Sequence, residues 1–397
     1  MIALHKIKDK IKTGIKKNKR EFFAIKNKLY PQFVFDNELK TIKDEIPVFT
    51  LHSVNPSKFE SQLKYLSQNS YNTVTSEQLY NCLIGESKIE ERTIALTFDD
   101  GWQNLYTVVF PLLKKYNLNA TCFLIPNLIE TNKNVRGVSP NLVVPDSDIM
   151  CTWQEIAEMH ESGFIDFQSH SMNHYLISVS SKITEFYYPN YDTYPFNMDL
   201  PLLKCNGIDD YKRNLEFGTP IYENDSRFCG KKRFLDDENL RKKCTDYVAK
   251  NGNEEFFQKI NWKRELSKIV DDFYKKNTKD KHYESDSEMR ESIFNEMSLS
   301  KKIIEEKLEN KIVRHFCYPW WTGSGIALEI SKEAGYLSNY WGVDPNRKTN
   351  KLHDNPFKIS RILSDDFIFT LPGEGRKTLV KLIYEKFLNE ISHKFAG

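Results

Sequence analysis

Long apolar runs are what this chain of 397 residues has least of. No stretch approaches the ~18 apolar residues of a membrane-spanning helix, and the N-terminus lacks the ~7–15-residue apolar core of a secretory leader. A cytoplasmic location is therefore expected. Cysteine patterning is equally thin: the seven cysteines at 82, 122, 151, 205, 229, 244 and 317 form an odd, scattered set with no CxxC pair. That argues against a disulfide framework and against a structural zinc ribbon, and it fits a reducing compartment. Nothing interleaves aromatic and basic residues as a recognisable nucleic-acid module would, so nucleic acid is not an expected partner. No internal repeat is present.

What the chain does hold is an ordinary globular balance, 40% hydrophobic and 28% charged, enough to build a sizeable core. By length this is two to three domains, although α/β barrels run past ~200 residues as one unit. The net charge of +2 is unevenly placed. Lys6, Lys8, Lys10, Lys12, Lys16, Lys17, Lys19, Arg20, Lys26 and Lys28 face only Asp9 and Glu21 within residues 1–30. Ile7, Ile11 and Ile15 recur every fourth residue there, which puts them on one face of a basic helix. Such a helix suits peripheral contact with an anionic membrane at its inner face. A solvated lysine-rich extension is the alternative.

After this extension, assigned to 1–44, short β-rich runs alternate with helical ones. PVFTLHSV at 47–54, YNTVT at 71–75, TIALTF at 93–98, NATCFLI at 119–125 and FIDFQSH at 164–170 read as strands. Residues 58–69, SEQLYNCLIG, VVFPLLKKYN at 108–117 and WQEIAEMHESG at 153–163 read as helices. Residues 178–287 break the rhythm with aromatic and charged stretches and are read as an insertion between 45–177 and 288–397. The alternation returns with a long helix at 289–311, a strand at 313–319, ALEISKEAGY, and strand-like YWGV and FKISRI. This is the pattern of βα units around a parallel sheet, whose ligands sit at the carboxyl ends of strands. His52, Asp99, Asp100 and His170 all fall at such ends.

Asp99 and Asp100 in TFDDG (97–101) are adjacent at a strand end, so their side chains diverge. One can point at a metal while the other stays free as a base. Alone, Asp-Asp-Gly is more often a turn. His170 and His174 in SHSMNH (169–174) can reach one ion if the loop curls back, and with Asp100 they make the two-histidine, one-carboxylate set common for zinc. A lone histidine is more often a satisfied core or surface residue.

An Asp-Asp-Gly at one strand end with His-Ser-x-x-His at a later one, about 70 residues on, resembles the polysaccharide deacetylase family, the NodB homology domain of carbohydrate esterase family 4. The similarity runs from IPVFTLHSV through IALTFDDGWQNLY to WQEIAEMHESGFIDFQSHSMNH, and again from about 288 to 365, covering about 230 residues. It implies an α/β fold, a distorted (β/α)7 barrel with a long insertion, and one divalent ion, usually zinc, held by Asp100, His170 and His174. It further implies Asp99 as the general base toward the attacking water, and the backbone N–H of Trp320, after Pro319, as an oxyanion donor. The general acid falls to His52, because LHS (51–53) is similar to the subgroup whose first strand ends in a histidine, and no Leu-x-His follows residue 362.

Two departures stand out. FCYPWWTG has Cys317 where the family's base-orienting arginine would stand and Trp321 where glycine is usual. Arg361 in KISRI is the candidate replacement, with a surface ion pair as its alternative. Pro319, Trp320 and Trp321 are the candidate substrate-binding wall, since indoles stack on sugar rings as readily as they pack. The expected activity is hydrolytic removal of an N-acetyl group from an acetylamino sugar in a cell-surface glycan or its lipid- or nucleotide-linked precursor. An amidase acting on a non-sugar amide and an inactive carbohydrate-binding homologue are the alternatives.

Overall fold

The computed structural model describes residues 23–131, 135–137, 149–276, 282–343 and 348–386. The basic run up to residue 22, with Ile7, Ile11 and Ile15, lies outside the described residues.

Strand β1 (Val48–Leu51) leads through α1 (Pro56–Gln68) to β2 (Asn72–Thr73), then through α2 (Ser76–Ile84) to β3 (Thr93–Asp100). A helix follows that opens as a π-turn over Leu105–Val109 and continues as α3 (Phe110–Tyr116), three residues earlier than the sequence pattern suggests. Next come β4 (Ala120–Leu124), α4 (Trp153–Glu161) and β5 (Ile165–Ser169). Both α2 and α4 begin with reciprocal caps, Thr75 with Gln78 and Thr152 with Glu155, so their starts were written locally.

The stretch after β5 carries β6 (Leu176–Phe186), the two-residue strands β7 (Lys204–Cys205) and β8 (Ile208–Asp209), β9 (Pro220–Ser226), α5 (Glu238–Lys250) and α6 (Trp262–Lys276). Helix α7 (Asp286–Lys307), β10 (His315–Cys317), α8 (Gly325–Glu333) and β11 (Ser338–Tyr340) complete the order. Among the described residues, 173–276, 282–296 and 322–330 form one compact unit and the remainder form a second.

In the second unit the sheet runs β1-β3-β4-β5-β10-β11, with β2 also paired to β3, and every pair is parallel. All eight residues of β3 are buried, as expected for a strand covered on both faces. Val48, Leu79, Leu83, Ala95, Phe123, Tyr340 and Ile359 share one core cluster.

FKISRI is not a regular strand, which corrects the sequence reading. Pro356–Lys358 is a 3-10 turn, and only isolated parallel bridges follow, Ile359 to Tyr340 and Ile362 to Phe49. Ile359 N–H donates to the Asn339 carbonyl and Ile362 N–H to the Val48 carbonyl, so the segment crosses from one outer strand to the other. Four residues split between two neighbours cannot build a ladder on either, yet they join the sheet's two edges, which is how a barrel avoids open edges.

In the other unit β6 pairs antiparallel with β9 through two register shifts, and β7 with β8. Its core gathers Phe186, Leu240, Cys244, Val248, Phe256, Leu266 and Phe273. All seven cysteines of the chain are free thiols. Among the described residues no helix is long and apolar enough to cross a membrane.

Candidate active site

Because β1, β3, β5 and β10 are parallel members of one sheet, the residues that end them or follow them gather at one end of the sheet. His52 follows β1, Asp99 and Asp100 close β3, His170 follows β5, and Pro319 to Trp321 follow β10. The sequence places each of them one at a time; parallel pairing brings them to a common rim.

The turn after β3 is tightly constrained. Asp100 has φ 75° and Gly101 φ 95°. A Cβ on Gly101 would meet Leu124 Cδ2 at 2.8 Å and Ile129 Cδ1 at 3.0 Å, so conformation and space both demand glycine. The turn splits the two carboxylates. Asp100 Oδ2 accepts from Trp102 Nε1 at 2.9 Å. Asp99 faces Arg361, whose Nη1 lies 2.8 and 3.0 Å from its two oxygens.

Both members of that pair are buried. Burial by itself would push the Asp99 carboxyl up; the Arg361 charge and its hydrogen bond overcome it and hold the group well below the usual carboxylate range. Arg361 is fixed in turn by its Nε donating to the Trp341 carbonyl at 2.9 Å. His52 is exposed.

His170 is buried, and its Nδ1 sits 2.8 Å from the Cys317 carbonyl. A carbonyl can only accept, so Nδ1 carries the hydrogen of the neutral ring and Nε2 keeps its lone pair. That lone pair looks toward the carboxylates, 3.6 Å from Asp100 Oδ1 and 3.9 Å from Asp99 Oδ2. Burial is the main influence on the ring and lowers its pKa, with the two aspartates opposing, so neutral imidazole is favoured.

One ligand atom each from Asp100, His170 and His174 lies within 4.8 Å of the others, and all three residues are buried. A second such group joins Asp99, His170 and Cys317. Cys317 Sγ is 3.8 and 3.9 Å from the Asp99 oxygens, and burial raises its thiol well above the ordinary value. A protonated thiol is a poor ligand. The oxygen-and-imidazole trio therefore fits a divalent ion of zinc's character better, and the Cys317 carbonyl behind His170 is the kind of outer partner that fixes a ligating ring.

Trp320 and Trp321 have φ 58° and 55°, left-handed values that are costly for indole side chains and that cluster at functional sites. Pro319 is buried, Trp320 half-buried, and Trp321 39% exposed. Trp321 can take this path because Gly342 lies beneath it, where a Cβ would come within 2.8 Å of the Trp321 Cβ.

Three participants were not read from the sequence. Trp102, two residues past Asp100, had a visible signal in TFDDGW. The Cys317 and Trp341 carbonyls had none, since every residue has a carbonyl and only the fold aims it.

Residues 86–187 match the family model described as polysaccharide deacetylase. The poly-β-1,6-N-acetyl-D-glucosamine N-deacetylase of Escherichia coli K12 is 31% identical over 141 residues, 35% of this chain and 21% of that protein. The enzyme of the same name from Staphylococcus aureus MRSA252 is 30% identical over 132 residues, 33% of this chain and 41% of that protein. The chain thus matches about a fifth of the first relative's length and about two fifths of the second's. Among solved structures, a de-N-acetylase from Aggregatibacter actinomycetemcomitans superposes with TM-score 0.50 at 19% identity, covering 81% of this chain and 95% of that one. This likeness shows the fold, a distorted (β/α) barrel of the NodB type.

Proposed function

We propose, from the premise that this chain is a homologue of the polysaccharide deacetylases, that it hydrolyses the N-acetyl group of an acetylamino sugar with the help of one divalent ion. The observation that carries the reading is Asp99, held ionised by Arg361 beside the Asp100, His170 and His174 donors. Asp100, His170 and His174 would hold the ion, for which zinc is the first choice. When bound, such an ion polarises an amide carbonyl and makes water more acidic.

The rest falls to the chain's own residues. Asp99, ionised across the neutral range, accepts the proton of the attacking water, and Arg361 orients it. The Trp320 N–H donates to the oxygen on which negative charge develops. His52, exposed at the end of β1, gives a proton to the departing amine. Pro319, Trp320 and Trp321 form the wall against the sugar ring, with Trp321 offering its face.

The substrate is a cell-surface glycan or its cytoplasmic precursor, and the relatives named for poly-β-1,6-N-acetyl-D-glucosamine make that polymer the first to try. Purified protein is incubated with this polymer, with lipid- and nucleotide-linked acetylamino sugars and with small non-sugar amides. Acetate release and mass loss from the glycans are followed with chelator, and with zinc restored. Metal-dependent deacetylation of a glycan is expected. Turnover of the small amides alone would make the protein an amidase, and glycan binding without any hydrolysis an inactive homologue.

We further propose that the basic segment 1–30 holds the protein at the inner, anionic face of a membrane. If protein lacking this segment still binds anionic liposomes, that placement is wrong.

A further inference from the structure

The loop that carries the second histidine is strained and must be held. Ser171 has φ 68° and His174 φ 52°, left-handed values that are costly for residues other than glycine. Left alone, a five-residue loop with two such residues would relax and carry the imidazole away from its partners.

Hydrogen bonds hold it at His170, Met172 and Asn173. His170 N–H donates to the Leu124 carbonyl at 2.8 Å, and Asn127 N–H to the Met172 carbonyl at 3.2 Å. At Asn173, directly before His174, a carboxylate grips both the backbone and the side chain. Glu296 Oε2 accepts from Asn173 N–H at 2.9 Å, and Glu296 Oε1 accepts from Asn173 Nδ2 at 2.5 Å. Two bonds to one residue through two different oxygens fix its orientation as well as its position.

Glu296 is 4% exposed and Asn173 9%, so this contact is shielded from water. Ionising a carboxylate in such a place is costly, and it persists only if charge nearby balances it. Arg213, 2% exposed, is that charge: burial lowers its pKa to about 10, Glu296 is the foremost group opposing the shift, and the guanidinium stays charged at neutral pH. An amide or hydroxyl could cap a loop N–H without this burden. A buried, balanced carboxylate with both oxygens committed to Asn173 is the arrangement that a rigid ligand loop requires.

We propose that Glu296 is the positioning residue for His174, gripping Asn173 so that the imidazole is held where an ion can bridge it to Asp100 and His170. The inference rests on the metal-site reading above and adds to it a residue 122 positions along the chain from His174, on the long helix α7. Substituting it weakens ion binding before any substrate is present.

The test uses the full-length protein stripped of metal. Zinc affinity is measured by competition with a chromophoric chelator, the cobalt-loaded visible spectrum reports coordination, and circular dichroism with thermal melting monitors the metal-free fold. Wild type, E296Q, H174A and the double variant are compared. Glutamine can accept with only one of its two terminal atoms, so E296Q is expected to bind zinc about 10–100-fold more weakly than wild type, the usual loss for a group that orients a ligand. Its cobalt spectrum shifts, while its metal-free dichroism matches wild type. In the H174A background E296Q should cost nothing further, because the histidine it serves is gone.

Unchanged zinc affinity in E296Q overturns the proposal. So does an equal loss in the H174A background, which would mark Glu296 as a general structural group. If E296Q does not fold, N173A removes the side-chain bond alone and is read by the same criteria, with a smaller loss expected. Were D100A and H170A to lose zinc while E296Q keeps it, this inference alone fails; were wild type to bind no ion, the metal-site reading fails with it.

Discussion

Arg361 and Asp99, separated by 262 residues of chain, meet as a buried ion pair in which one guanidinium nitrogen lies 2.8 and 3.0 Å from the two carboxylate oxygens. Cys317 is the neighbour of this carboxylate on β10, and the cation arrives from the segment that joins the sheet's edges.

Removing it leaves a buried carboxylate with its main counter-charge gone. R361A should lose about 3–5 kcal/mol of stability at neutral pH by urea denaturation. The sign with pH follows from the direction of the Asp99 shift. A carboxyl held below its unfolded value contributes stability above the ordinary carboxylate range, and the contribution fades as pH falls through the folded value. The gap between wild type and R361A should therefore narrow on acidification. A gap that stays constant from neutral to acid pH counts against this account of the pair.

His52 is exposed, so its replacement should leave the fold alone. H52A is expected to change stability by no more than about 0.5 kcal/mol, as surface substitutions do. Its kcat for glycan deacetylation should fall by ~10²–10⁴-fold, the worth of a general acid. Steady-state kinetics beside a melting curve checks both. Undiminished turnover in H52A removes it from the mechanism.

Chelation should lower the melting temperature as well as abolish turnover, because an ion that binds only the folded form stabilises it. At an ion concentration 100 times Kd the gain is about 2.7 kcal/mol. D100A should melt at the same temperature with and without zinc. A D100A protein that still gains stability from zinc would place the ion elsewhere.

Remote from this chemistry, His315 sits between Ser338 and Glu77: its Nδ1 is 2.8 Å from the serine oxygen and its Nε2 3.0 Å from the glutamate. His315 and Ser338 are buried at the starts of their strands, so the trio is a structural tie. The hydrogen bond from His315 lowers the Glu77 pKa to about 2, with burial opposing and Arg314 assisting. Its stabilisation is present above the ordinary glutamate value and lost as pH falls from there toward about 2. E77Q should accordingly be less stable than wild type at neutral pH, with the difference shrinking below the ordinary glutamate value and closing only near pH 2, read by thermal melting. Because Glu77 is 38% exposed at its side chain, solvent screens the effect and the neutral-pH difference should be modest.

Much of this was legible in one dimension. Alternating apolar runs, the Thr75 and Thr152 caps and the forced glycine at 101 are local signals, and local chemistry sets them. So are the Asp99–Asp100 pair and the His170–His174 spacing, whose residue types suit a base and a set of metal donors. The KISRI motif singles out Arg361, and its burial against Asp99 makes the contact an interior ion pair and not a surface one. FKISRI misled, because a segment shared between two outer strands has a strand's composition without a strand's ladder.

What only the tertiary structure decided are the contacts that any residue can make. The Cys317 carbonyl that sets the His170 tautomer, the Trp341 carbonyl that steadies Arg361, and the Glu296 carboxylate that grips Asn173 leave no mark in residue order. Sequence determines which side chains can bind an ion or carry a proton, since that is written in their functional groups. Whether they stand a few ångströms apart and in the right protonation state is settled by parallel strand pairing, burial and hydrogen bonds across long stretches of chain, and these exist only once the chain has folded.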